Sequence, residues 1–110
     1  MISMAEGTDL TAPLQFKDLS GTVIDLTGAT SVIGSVFQEP REGATIALQM
    51  TVAGSKVSLT DAVNGKLDLV FADGDLDAGE YTVEVTATLA SGDVVFLGRE
   101  AIFVWSSNAL

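Results

Sequence analysis

The chain has 110 residues, enough for one domain with one core and too few for two. Hydrophobic residues make up 47 %, which argues against disorder, and the absence of cysteine and histidine removes disulfides, thiol catalysis, zinc–thiolate sites and the usual catalytic triads. With 5 Lys+Arg against 15 Asp+Glu the formal charge is -10, which argues against nucleic acid and against an anionic membrane surface as partners.

The apolar residues recur with a period of two rather than 3.6, so the expected elements are strands. Met1-Ile2-Ser3-Met4-Ala5-Glu6 has no basic or apolar leader pattern, so no secretory signal peptide is expected. Residues 1–7 are expected to form a flexible or partner-bound tail. Leu10, Ala12, Leu14 and Phe16 alternate with Thr11, Pro13 and Gln15, predicting a first strand that Pro13 places at a sheet edge. Lys17 to Gly21 reads as a turn, and Val23-Ile24 as a short extended piece ending at Asp25. Thr30 to Gln38 predicts a long strand in which Gly34 marks a bulge or a close backbone approach. Glu39 to Gly43 is a polar loop holding Pro40. Ile46, Leu48 and Met50 alternate again, and Ala53-Gly54-Ser55 predicts a hairpin turn into Val57 and Leu59. Asp61 to Gly65 is a further turn, with Asn64-Gly65 its strongest signal.

Leu67, Leu69 and Phe71 give the next strand face, and Asp73 to Asp77 an acidic connection with room for one helical turn. In Tyr81 to Leu89 the residues Tyr81, Val83, Val85, Ala87 and Leu89 define a core face, with Thr82, Glu84, Thr86 and Thr88 on the wet one. Ala90-Ser91-Gly92-Asp93 turns the chain into Val94 to Leu97, Gly98 interrupts, and Ala101 to Trp105 closes the domain. Residues 106–110 are expected to be a loose tail. Seven to nine short strands with a turn signal every ten residues or so predict a sandwich or small barrel. No apolar run approaches the ~20 residues of a membrane helix.

Three sets of residues invite a chemical reading. Asp73, Asp75 and Asp77, with Glu84 eleven residues after Asp73, space oxygen ligands as a calcium loop does. Ala78, however, stands where an EF-hand needs glycine, and the competing reading is an acidic turn whose carboxylates accept backbone N–H groups. The acidic residues also offer carboxylate pairs, but a domain this small has little concavity in which to use them, so no catalytic residue is assigned and no enzyme is expected. Phe103 and Trp105 share parity with Ala101; Phe103 is assigned to the core, and Trp105, near the chain end, to the core or to an interface. The acidity itself fits a basic partner, a calcium-rich setting, or solubility through self-repulsion.

Tyr81 is the single tyrosine and opens the clearest strand, as the corner tyrosine does in immunoglobulin-like sandwiches, and Val83 stands where an antibody domain has a cysteine. The fold class expected is therefore all-β, an immunoglobulin-like antiparallel β-sandwich spanning residues 1–110. The segment Asp18-Leu19-Ser20-Gly21-Thr22-Val23-Ile24-Asp25-Leu26-Thr27-Gly28-Ala29-Thr30 resembles a D-x-x-G-x-x-x-D-L-T-G-A signature of small β domains in tailed bacteriophages. Such domains include the N-terminal domain of baseplate upper proteins. Thr60 to Leu67, Ala78 to Val85 and Gly92-Asp93 are similar in style, so the resemblance spans nearly the whole chain. Asp25 and Gly28 are its structural residues, with Leu26 as apolar anchor. The resemblance implies a non-enzymatic virion component in a tail, baseplate, fibre base or head decoration, docked to other virion proteins and to copies of itself. Baseplate proteins continue into further domains while this sequence stops at residue 110, which points to a stand-alone virion part. The alternative is a carbohydrate- or calcium-binding module of a bacterial surface protein.

Overall fold

In the computed structural model, residues 1–39 and 46–106 are described, and within them the alternating segments form eight strands. These are β1 (Ile2–Ala5), β2 (Leu10–Gln15), β3 (Ser31–Glu39), β4 (Leu48–Thr51), β5 (Val57–Asp61), β6 (Lys66–Phe71), β7 (Gly79–Thr88) and β8 (Val94–Trp105). The one helical piece among the described residues is a 3-10 turn, Ala62–Asn64. Strands β1-β8-β7-β3-β4 make one sheet and β2-β6-β5 the other. Strands β2, β6 and β5 take the places of immunoglobulin strands B, E and D, and β8, β7, β3 and β4 those of G, F, C and C′. The molecule is thus an all-β, immunoglobulin-like sandwich. The position outside β2, where strand A lies in the constant-type arrangement, holds no strand among the described residues.

The core is made by the inward half of each alternation. Leu67, Leu69 and Phe71 of β6 face Val36, Met50 and Val83 of the larger sheet, all fully enclosed. Burying each such side chain stabilises the fold by about 1.5–3 kcal/mol. Gly34 sits in an unbroken register with both neighbours, so it is not a bulge. A Cβ there would stand 3.3 Å from Val83 Cγ2 and 3.6 Å from Met50 Cβ, so its role is close approach. Pro13 lies on β2 at the edge of the smaller sheet, where its missing N–H costs no ladder bond to a further strand.

Four expectations are corrected. Residues 1–7 are not a loose tail: β1 pairs in parallel with β8, Ile2 opposite Ile102 through Ala5 opposite Trp105, and Ile2 and Met4 are buried. Two apolar residues are too short a pattern to read as a strand; the long-range pairing supplies what the local sequence does not. The same pair makes the sandwich antiparallel everywhere except at β1–β8. Strands β4 and β5 are not a hairpin. Thr51 Oγ1 accepts the Gly54 N–H at 3.0 Å, and the turn hands the chain from one sheet to the other. Met50 and Val57 can then both point into the core. The segment Asp73 to Asp77 forms no helical turn; Asp75 N–H donates to Ala72 O at 3.1 Å around Gly74, whose φ is +84°. The expected loop Glu39 to Gly43 falls mostly outside the described residues, as do 107–110 of the expected C-terminal tail.

Candidate interaction surface

Strand β8 is largely apolar on both faces. Its inward residues are Leu97, Ile102 and Val104, with Val95, Gly98 and Glu100 half-buried. Its outward residues are Val94, Phe96, Arg99, Ala101, Phe103 and Trp105. Only Arg99 among them is charged. A strand with one solvated face ordinarily alternates apolar with polar; a strand covered on both faces does not.

A bulge makes this arrangement. Val85 lies opposite Gly98 and Thr86 opposite Phe96, so Leu97 is the extra residue. The insertion re-phases the strand by one position. Without it, Phe96 would share a face with Ile102 and Val104. With it, Phe96 joins Phe103 and Trp105 outside, and the Arg99 guanidinium comes 6.0 Å from the Phe96 ring centroid. Val94 is 73 % exposed, Phe96 54 %, Phe103 41 % and Trp105 38 %. Phe103, assigned to the core from its shared parity with Ala101, is therefore corrected: the parity is right, and the face is the outer one. Trp105, the interface candidate, lies on that same outer face.

The rest of the face is mild. Outward Thr82, Glu84, Thr86 and Thr88 of β7 lie beside Ala101, Arg99, Phe96 and Val94. Ser31, Ile33, Ser35 and Phe37 of β3 continue the rows. Near its centre Arg99 reaches Glu84 across 3.8 Å, an exposed pair of the weak kind. This places Glu84 with an arginine, away from the acidic loop to which its spacing had linked it.

That loop is not assembled as a metal site. Asp75 Oδ2 pairs with Lys56 Nζ and accepts the Ala72 N–H at 2.8 Å. The Asp73 N–H donates to Asp9 Oδ1 at 2.7 Å, and the Asp77 carbonyl accepts the Tyr81 hydroxyl at 2.8 Å. Among the described residues no three acidic groups converge to hold a cation: of the candidates Asp73, Asp75 and Asp77, Asp75 turns its carboxylate onto the loop backbone, and Asp73 and Asp77 take part through their backbone groups. Burial, followed by the charges of Asp77 and Glu6, pushes the Tyr81 phenol up.

The segment from Asp18 to Gly28 is organised by its turns. Asp18 Oδ1 accepts from the Ser20 N–H at 2.9 Å, the Ser20 hydroxyl at 2.6 Å and the Thr22 N–H at 3.0 Å. Asp25 Oδ1 accepts the Thr27 N–H at 2.8 Å, and Gly28 takes a φ of +74° that a side chain would resist. Between them Leu26 is fully buried and its N–H donates to Ala62 O at 2.8 Å, tying the bend to the 3-10 turn. Hydrogen bonds hold both carboxyls below their usual range, that of Asp18 chiefly through the Ser20 side chain and that of Asp25 through Thr27.

One open groove of about 410 Å³ separates the β1 and β2 edges, lined by Ile2, Leu10, Ala12, Leu14 and Glu100. Glu100 is held there by the Met1 ammonium at 2.6 Å.

The strand order and the corner tyrosine define an immunoglobulin-like domain whose most distinctive surface is an outward apolar sheet face. No family model and no curated protein matches the chain. Among solved structures it is similar to a chain of murine CRIg, at 16 % identity and a TM-score of 0.43, over 96 % of this chain and 90 % of that one.

Proposed function

We propose that this domain is a non-enzymatic structural component of a bacteriophage virion, belonging to a tail, baseplate, fibre base or head decoration. It works by docking on other virion proteins and on copies of itself. The observation that carries the docking is the apolar outer face of β8, with Val94, Phe96, Phe103 and Trp105 in solvent. Patches of this kind mark protein–protein contact in soluble domains. The virion assignment is supported by the resemblance of the Asp18 to Thr30 signature and the later turns. The docking surface in this reading is a sheet face; of the strand edges, that of β2 is blunted by Pro13 against strand addition.

Immunogold electron microscopy of lysates from the source culture, with antibody to this protein, tests the assignment. Gold on tailed particles is the expected result; gold confined to cell envelopes would overturn it. The aromatic row also favours a second reading, a carbohydrate-binding platform, since flat sugars stack on exposed rings. Titrating Trp105 fluorescence with oligosaccharides separates the two, because a docking face leaves the emission unchanged.

A further inference from the structure

We infer that the outer face of the β1-β8-β7-β3-β4 sheet packs against the same face of a second copy of this chain, through a two-fold axis running between β7 and β8. The inference deepens the docking reading above and does not depend on the virion part of it.

Three observations lead here. The first is that β8 is built as a strand covered on both sides, and its bulge places the aromatics on the open side. The second is charge. A molecule of net charge -10 meets its own copy most easily through its least charged region. The described strands of this face present Glu39, Glu80, Glu84 and Arg99 outward, and the first two lie opposite one another at one end. The rows holding Ala101, Thr82, Phe96, Thr86, Val94 and Thr88 carry no charge at all.

The third is self-complementarity. A two-fold interface brings residue i over residue j and j over i. With the axis along the strands between β7 and β8, each residue of β8 lands over its register partner on β7 of the other copy. The register then places Arg99 over Glu84, Phe96 over Thr86, Val94 over Thr88 and Ala101 over Thr82. Bulky residues meet small or branched ones, and the cation meets the carboxylate. The Phe103–Glu80 row falls at the rim. Arg99, 68 % exposed and only 3.8 Å from its own Glu84, keeps room to reach a second carboxylate.

The size is sufficient. Strands about 4.8 Å apart, rising about 3.3 Å per residue, give this sheet a plan area of roughly 500 Å². Two corrugated copies bury on the order of 1,000 Å² or more, where specific interfaces begin.

Light scattering on the full chain, across a concentration series, tests this. The expected mass is that of two chains, falling to one chain for Phe96→Glu at concentrations where the parent stays paired, with dissociation at least tenfold easier. Phe96 is a surface residue, and an unchanged circular dichroism spectrum separates lost pairing from lost folding. Val63→Glu, an equally exposed apolar site on the 3-10 turn, leaves the mass at two chains. Arg99→Glu weakens pairing, and adding Glu84→Arg restores it. A monomer at near-millimolar concentration overturns the inference, as does an oligomer indifferent to Phe96→Glu. A monomer that still labels virions would leave the virion reading standing, and a dimer absent from virions would sink only that reading.

Discussion

Asp18 and Asp25 each fold their own backbone around one carboxylate oxygen, and both carry a lowered pKa for that reason. A depressed folded pKa gives stability that is present above the ordinary aspartate value of 3.8 and disappears as pH falls through the lowered values. Denaturant midpoints measured on acidification should fall in that window, and the double variant Asp18→Asn, Asp25→Asn should show a shallower decline. Tyr81 behaves in the opposite sense. Its phenol is pushed above 10.0, so the stability it contributes is complete below that pH and is lost as pH climbs through the raised folded value. Tyr81→Phe removes the hydrogen bond to Asp77 O, costs about 1 kcal/mol at neutral pH, and flattens the alkaline side of the stability profile. Urea melts followed by circular dichroism at several pH values measure both effects.

At the scale of the element, phase matters most. Deleting Leu97 removes the bulge but joins Phe96 to Gly98 in the register their partners Thr86 and Val85 already hold, so both flanks keep their faces and the loss is the buried leucine side chain. That variant is expected to unfold cooperatively at a lower midpoint in thermal melts, at a cost of about 2–5 kcal/mol. Gly34→Val is gentler: the new side chain crowds Val83 and Met50 and costs about 1–3 kcal/mol. Strands β2, β6 and β7 were legible because each carries its own alternation, β3 as an apolar-rich run bounded by turns despite an imperfect alternation, and the Asn64-Gly65 turn because a φ of +67° needs such a residue. What was hidden depends on partners distant in sequence. Nothing local says that Ile2 and Met4 lie beside Ile102 and Val104, or that β4 and β5 part company. The outer apolar face was hidden for a related reason. An alternation names two faces and never says which is inside, so Phe103 was placed with the right companions on the wrong side. The acidic loop misled because spacing cannot show that Lys56 already occupies Asp75.

For the whole molecule, charge and apolar surface oppose each other. Two chains of charge -10 repel at a distance, while the β8 face attracts at contact. Screening shortens from about 30 Å at 0.01 M salt to about 8 Å at 0.15 M. Pairing should therefore tighten as salt rises over that range, which sedimentation equilibrium at the two ionic strengths measures; weaker pairing would mean that Arg99–Glu84 attraction outweighs the net repulsion. The parallel register of β1 on β8 has a mechanical consequence. Drawing Ile2 and Trp105 apart slides one strand along the other, so the rungs from Ile2–Ile102 to Ala5–Trp105 are strained together. An antiparallel hairpin pulled at its open end peels one rung at a time. The first and last strands are thus laid out to bear tension in shear, and resistance to forced unfolding is set by how slowly that short ladder gives way.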